Sequence, residues 1–400
     1  MIDFTKIKIN GCNIQRLMNY PLLEFKRNVS EKTGLLDTKS IAIYHHCKIV
    51  VYDSGTVIFS GSLHKMYNSI TGIKAPKPNG NGYNGNQFYW HEIEFALENL
   101  IGLFVVSPEQ MQIQQIEYGV NLITPFNPQD FISGLLMHRG KPFEFRYNEY
   151  YAQAVHDEYI LKIYNKGNQY QTSLNTLRIE IKVRKMRYQK SDVGIQTVAD
   201  IALERLTEAF KLLARHLQYI IYFDNTIEKK PLSKVDKNRL QKLGNPNYWK
   251  KLATNKRDTP KKLLANLIEQ NSANLKGELL MLIEKNRVRF HQESKEHSRV
   301  RFHYSNIEGI FTPNSSKTCP ITGIDITMQK EGSNLLSNTG LKYLEKTDKK
   351  KFGQLAQTLL TGRHNEFEKT VYDKISKQIR NRYYNRYQEH RPEQTKLPLF

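Results

Sequence analysis

Apolar residues in the first 190 positions of this chain recur mostly at every second residue. After Ser191 they switch to the three-and-four spacing of a helix. This switch limits the possible folds more than any other feature of the sequence. Period two sends successive side chains to opposite faces of a strand, and period 3.6 lines one face of a helix. Ile2–Ile9, Ile41–Tyr52, Thr56–Ser60, Gln112–Pro125, Glu158–Lys166 and Thr176–Met186 therefore read as strands. Asp53-Ser54-Gly55 joins the second and third as a hairpin. Gly72–Gln87, rich in Gly, Asn and Pro, reads as a loop. Helices are predicted from about Phe88 to Leu100 behind an Asn86 cap, and from Asn127-Pro128 to about His138. Strands with a few helices and no regular βαβ alternation predict an α+β domain on an antiparallel sheet.

In the helical part, Leu203, Leu206, Phe210, Leu213, Leu217 and Ile220 form an apolar stripe, so a packing helix is predicted over Ile195–Tyr222. Lys229–Lys262 then holds twelve Lys/Arg against two Asp, with Tyr248 and Trp249 in the middle. Three short helices are predicted there, Ser233–Leu243, Asn247–Ala253 and Pro260–Gln270. Arg-Val-Arg-Phe-His occurs at 287–291 and again at 299–303, a repeat with no evident meaning. At roughly 100–200 residues per domain, 400 residues suggest two or three domains. The composition shifts divide the chain into 1–225, an α+β region, 226–310, a basic helical region, and 311–400, a C-terminal helical region.

Charge points to the partner. The net charge of +21 is uneven: residues 1–225 carry 25 basic and 21 acidic side chains, residues 226–400 carry 35 and 18. A positive excess confined to one half implies a polyanion surface there, and DNA is the expected partner. Lys250, Lys251, Lys256 and Arg257 are the candidate phosphate contacts. No apolar run reaches the roughly 18–20 residues that span a bilayer, and no membrane contact is expected. The first residues lack the pattern of a signal peptide, so the expected location is cytoplasmic. Cys12, Cys47 and Cys319 make neither a disulfide framework nor a Cys-x-x-Cys metal site. His45 and Cys47 share a strand face, but a pair without further ligands reads as structural. No Walker A or G-x-G-x-x-G sequence is present.

Three predicted strands carry polar side chains on one face. Glu117 and Asn121 point the same way with Gly119 between them. Lys162, Tyr164 and Lys166 share a face, as do Arg178, Glu180 and Lys182 opposite Ile179, Ile181 and Val183. Such strands form either the wet face of a half-buried sheet or, if they are neighbours, a site. As a site they have a chemical use. Carboxylate and amide oxygens suit Mg²⁺ or Mn²⁺, a tyrosine hydroxyl can attack phosphorus, and cations offset the charge that develops.

"LKIYNKG" (161–167), followed by "LRIEIKVRK" (177–185) and a helix, resembles a signature of replication initiators: the gene II-type proteins of filamentous phages and the rolling-circle initiators of small plasmids. "IEYGVNLITPF" (116–126) stands where such proteins carry a metal-ligand strand, and "VIFSGSLHKMYN" (57–68) looks like their upstream glycine-containing strand-to-helix segment. The resemblance covers about residues 40–200. "CPITGIDITMQKEGSNLLSNTGLKYL" (319–344) looks like a tail on related proteins of mobile elements.

The resemblance implies an HUH-endonuclease-like nicking domain. It would cut one strand at an origin and stay joined through tyrosine to the 5′ phosphate, so that rolling-circle replication starts from the free 3′ hydroxyl. Carried over by position, Tyr164 and Lys166 fall on the tyrosine-lysine motif and Arg178 on a phosphate contact. Glu117, Asn121 and Glu180 become ligands of Mg²⁺ or Mn²⁺. The chain departs from the superfamily in having no His-x-His among its twelve histidines, and Asn121 stands where a carboxylate is expected. Tyr147, Tyr150, Tyr151 and Tyr188 remain alternative nucleophiles. The end of the sequence, Gln394 to Leu397-Pro398-Leu399-Phe400, resembles the peptide by which bacterial replication proteins dock on the sliding clamp. Two other readings stay open: a non-enzymatic origin-binding protein that recruits the replisome, and a transposase-like tyrosine nuclease.

Overall fold

The computed structural model describes residues 1–297 apart from 30–33, 35, 78 and 79. Gln394, Leu397, Leu399 and Phe400, Cys319, the second Arg-Val-Arg-Phe-His and the whole of 311–400 lie outside the described residues. The strands are β1 (Ile2–Ile9), β2 (Lys39–Tyr44), β3 (Cys47–Tyr52), β4 (Val57–Ser62), β5 (Met111–Ile123), β6 (Leu135–His138), β7 (Lys141–Pro142), β8 (Glu144–Arg146), β9 (Tyr151–Val155), β10 (Tyr159–Asn165), β11 (Thr176–Val183) and β12 (Ile220–Tyr222). The helices are α1 (Ile14–Met18), α2 (Leu63–Thr71), α3 (Trp90–Phe104), α4 (Pro128–Ile132), α5 (Lys166–Tyr170), α6 (Leu203–Gln218), α7 (Lys234–Leu243), α8 (Pro246–Lys251), α9 (Asp258–Asn271) and α10 (Leu275–His297). Nine strands pair in the order β2-β3-β4-β1-β5-β11-β10-β9-β8, and every pairing is antiparallel. The fold is α+β, as the mixed periodicities predict.

The centre of the sheet explains its stability. On β5 and β11, Leu177 stands opposite Leu122, Ile179 opposite Val120 and Ile181 opposite Tyr118. These side chains are buried on one face, and α6 packs against both strands. Glu117, Gly119, Asn121, Arg178, Glu180 and Lys182 occupy the other face of the same pair.

Tertiary pairing overrides local pattern in three places. Ile41–Tyr52 is not one strand: His45 and His46 take left-handed backbone (φ 45° and 64°) and turn β2 into β3, the geometry a two-residue hairpin requires. The helix expected from Asn127 ends at Ile132, because Leu135–His138 pairs with Ile220–Tyr222. That pairing also ends α6 at Gln218, before the expected Tyr222. Its start is delayed to Leu203, because Gln196 bonds back to Ile113 on β5 while Asp200 accepts the Gln196 and Thr197 amides. The basic region shows no packing break at 225/226. Met1–Glu296 form one compact unit, in which Asp224 accepts the Leu275 amide and Lys276 donates to the carbonyls of Gln218 and Ile220. No helix among the described residues is long and apolar enough to cross a membrane.

An imidazole chain, buried at His138 and His216, reaches α6. His156 Nε2 lies 2.9 Å from His138 Nδ1, and His138 Nε2 lies 3.1 Å from His216 Nδ1. The far nitrogen of His216 meets the Tyr188 hydroxyl. Burial, then the neighbouring histidines, pushes His138 down to about 2. Burial, then Arg139 and Arg215, pushes His216 down to about 3. Both are therefore neutral in the folded chain and bind protons below about 6.5 only when it unfolds, so stability falls as pH drops through that value. Each histidine contributes about 1.4 kcal/mol per pH unit. Stability should thus fall steeply between pH 6.5 and 5, and His138→Gln should flatten that slope. Equal slopes in urea titrations of the two proteins would contradict this.

Candidate active site on the sheet face

The three motifs meet because their strands are neighbours. Across β10 and β11, Lys162 stands opposite Glu180 and Tyr164 opposite Arg178. Across β11 and β5, Arg178 stands opposite Asn121, Glu180 opposite Gly119 and Lys182 opposite Glu117. The tyrosine motif is a strand-to-helix junction. Tyr164 is the last residue but one of the strand, and Asn165 Oδ1 accepts the Asn168 amide at 2.8 Å as cap of α5, which begins at Lys166. Gly167 is needed because a Cβ there would lie 2.3 Å from the Leu174 carbonyl oxygen. The 57–68 segment has the same logic: Ser62 caps α2, and a Cβ on Gly61 would lie 2.3 Å from Cys47 Sγ.

The resulting face is a buried ionic network, not a wet surface. Arg178, 3% exposed, donates to Asn121 Oδ1 (2.8 Å), Asp3 Oδ2 (2.9 Å) and Glu180 Oε2 (2.8 Å). Lys162 Nζ donates to Glu180 Oε1 at 2.6 Å and Glu117 Oε2 at 3.0 Å. Lys182 lies 3.2 Å from Glu117 Oε1. Tyr164 donates its hydroxyl to Glu180 Oε2 at 3.2 Å. Gly119 leaves the room that this requires, since a Cβ there would lie 2.6 Å from Arg178 Nη2. Gly119→Ala should therefore displace the guanidinium and cost about 1–3 kcal/mol of stability in thermal or urea unfolding; an unchanged midpoint would mean that the arginine has slack.

Burial opposes every charge here, and partners decide the outcome. It would raise Asp3 and Glu180, but Arg178 with Lys166 and the Ser62 hydroxyl pulls Asp3 down to about 2, and Lys162 with Arg178 holds Glu180 well below the carboxylate range. For Glu117, burial and then the adjacent Glu180 carboxylate outweigh Lys162 and Lys182, so it is raised. Burial and Glu180 push the Tyr164 phenol well above its usual value. Burial and then Arg178 lower the Lys166 amine to about 7; it sits 5.3 Å from the Tyr164 ring centroid and 5.1 Å from that of Tyr170.

Sequence reasoning missed two members. Asp3 falls where β1 shifts register against β5, so alternation alone does not assign its face. Asn84 comes from the Gly/Asn-rich loop. It donates to Asp3 Oδ2 at 2.8 Å, its carbonyl accepts from Asn121 Nδ2 at 3.1 Å, and Tyr170 donates to its side chain at 2.6 Å. The density of Asn in 79–86 was the available signal.

The network surfaces at a cleft of about 430 Å³ lined by Tyr147, Tyr150, Tyr151, Lys162, Tyr164, Asn165, Asn168, Gln169 and Glu180. At its lip, Tyr147, Asn148 and Glu149 are consecutive left-handed residues (φ 54°, 52° and 65°), an uncommon conformation for side chains other than glycine. Three of the alternative tyrosines thus share the cleft with Tyr164. Tyr188 does not line it and bonds to His216 instead.

As ligands of a divalent cation, Glu117, Asn121 and Glu180 do not fit in this arrangement. The carboxylate oxygens already accept from Lys162, Lys182, Arg178 and Tyr164, and Asn121 Oδ1 accepts from Arg178. Among the described residues no three His, Cys, Asp or Glu side chains are grouped to hold a metal ion. Cys47 is buried behind the His45–His46 turn, and His45 Nδ1 pairs with Ser69.

In the basic region the three helices form close to where they were predicted. Ser233 caps α7, and Asn245 with Pro246 starts α8. Lys250, Lys251 and Lys256 are exposed. Arg257 is not on that surface: it is buried, with Nε on the Leu252 carbonyl at 2.9 Å. Trp249 is also core, donating to the Leu243 carbonyl at 2.6 Å.

No protein-family model matches the chain, and no curated protein does. Among solved structures, it is similar to the rolling circle replication initiator protein from Geobacillus stearothermophilus over 66% of this chain and 96% of that chain, with 11% identity and a TM-score of 0.31. A likeness at that score carries no argument about what this chain does.

Proposed function

We propose that this chain starts DNA replication by nicking one strand at an origin, with Tyr164 as nucleophile. One observation carries the reading: residues from three separated motifs converge on adjacent strands β5, β11 and β10, beside an open cleft that holds a tyrosine, a lysine and a carboxylate. In the proposed step the Tyr164 oxygen attacks phosphorus, the bond to the 3′ oxygen breaks, and a phosphotyrosine ester forms. The phenol proton, hydrogen-bonded to Glu180 Oε2 in the resting site, is released as the P–O bond forms, and one proton is taken up by the leaving 3′ oxygen, so the exchange is balanced. Lys162 at the cleft offsets phosphate charge. Lys166 packs against the Tyr164 ring and positions it.

The exposed lysines of α8 and the turn after it would hold duplex DNA. Changing Lys250, Lys251 and Lys256 to glutamine should weaken binding to all sequences alike and reduce the salt slope by about 0.9 per lost phosphate contact. An unchanged slope would make this region a solvated connector. Gln394, Leu397, Leu399 and Phe400 would recruit the host sliding clamp.

The test is incubation of the full chain with supercoiled DNA that carries its own coding region and flanks. Nicked circles with protein attached support the proposal. Binding without any nick favours the non-enzymatic origin-binding reading.

A further inference from the structure

We propose that the ammonium of Lys162 is the resident cation of the Glu117–Glu180 pair, so that the chain fills with its own side chain the place a divalent metal ion would take. The inference rests on the sheet-face site described above. Its first support is register. Lys162 stands directly opposite Glu180, and Lys182 directly opposite Glu117, so the ladder itself aims both cations at the carboxylates.

The second support is geometry. Lys162 Nζ bridges the two carboxyl groups at 2.6 and 3.0 Å, and its side chain is 16% exposed. A Mg²⁺ or Mn²⁺ ion takes about six oxygen ligands, and Mg²⁺ needs them near 2.0–2.1 Å. An ammonium at hydrogen-bond distance from the same oxygens would repel such an ion. The third support is pairing. The carboxyl groups of Asp3, Glu117 and Glu180 are each already paired with Lys162, Lys182 or Arg178 at 2.6–3.2 Å, so a divalent ion would have to displace an ammonium or guanidinium from each of them. Asn121 offers no free oxygen either, since its Oδ1 is on Arg178 and its Nδ2 faces the carbonyls of Asn84 and Asn86. Lys162 also lines the tyrosine cleft, so a positive charge already faces whatever phosphate enters.

The test is a Mn²⁺ titration of the full chain, reading the electron paramagnetic resonance signal of the free ion. The expected result is no site in the wild type that depends on Glu180. Lys162→Met should bind one Mn²⁺ at least about tenfold more tightly than the wild type, because Glu117 Oε2 and Glu180 Oε1 then lose the ammonium that bridges them. Adding Glu180→Gln to that variant should remove the site. A saturable Mn²⁺ site in the wild type that Glu117→Gln or Glu180→Gln removes would overturn the proposal, and that comparison does not need Lys162→Met to fold. So would a folded Lys162→Met that binds no more Mn²⁺ than the wild type. The readout is independent of cleavage: failure to nick DNA would count against the proposed function and leave the Mn²⁺ result to decide this one.

Discussion

Arg178→Met lowers the unfolding free energy by about 3–5 kcal/mol, the cost of removing one partner from a buried ion pair. The guanidinium joins three elements that are distant in sequence: Asp3 on β1, Asn121 on β5 and Glu180 on its own strand. Methionine has about the right length but no charge, so it leaves the buried Asp3 carboxylate without its ion pair and Glu180 with Lys162 alone. Part of the loss will be relieved by protonation, so the stability gap between the variant and the wild type should narrow as pH falls toward 4, while the histidines lower both proteins alike. Lys182→Met is the control. Its side chain is 31% exposed and its pair with Glu117 lies at the rim, so a change within about 1 kcal/mol is expected. Urea unfolding of both variants reads the difference; equal losses would mean that Arg178 is not the hub of the network.

Tyr164→Phe has the largest expected effect on activity. The change keeps the ring, with its packing against Tyr151 (centroids 5.5 Å apart) and Lys166, and removes only the hydroxyl. Stability should fall by about 0.5–1.5 kcal/mol for the hydrogen bond to Glu180. Covalent protein–DNA adduct should fall to background while DNA binding persists. An undiminished adduct would move the nucleophile to Tyr147, Tyr150 or Tyr151, the other tyrosines of the cleft.

Much of this site was legible because a strand is a simple reader of sequence. Alternation put Arg178, Glu180 and Lys182 on one face and Ile179, Ile181 and Val183 on the other, and antiparallel pairing did the rest. Alternation could not say whether that face was wet or buried. The answer depends on the 72–87 loop, whose asparagines close over the network through Asp3 and Asn121. Nor could it identify Asp3, 175 residues from its partner Arg178, because a register shift in β1 breaks the period there. The basic stretch shows the same limit. Charge density marked Lys250, Lys251 and Lys256 correctly as surface, but Arg257 turns inward to a carbonyl that no sequence pattern announces. The helix predicted over Ile195–Tyr222 is shorter at both ends: its apolar stripe runs on at Ile220 into residues that pair as strand, and at its start Asp200 holds the Gln196 and Thr197 amides.

The imidazole chain was equally hidden. His138 lies on β6, His156 in the turn after β9 and His216 on α6, with no shared spacing, and only tertiary packing brings them into line.

The central claim, that the sheet face is a nicking site with Tyr164 as its nucleophile, is tested most directly by mapping the covalent adduct. The full chain is incubated with supercoiled DNA containing its coding region and flanks. The nicked product is then digested with protease, and the nucleotide-bearing peptide is sequenced by mass spectrometry. The account predicts one modified peptide, containing "IYNKG" with the nucleotide on Tyr164. A nucleotide on any other tyrosine, or bound DNA that yields no modified peptide at all, would contradict it.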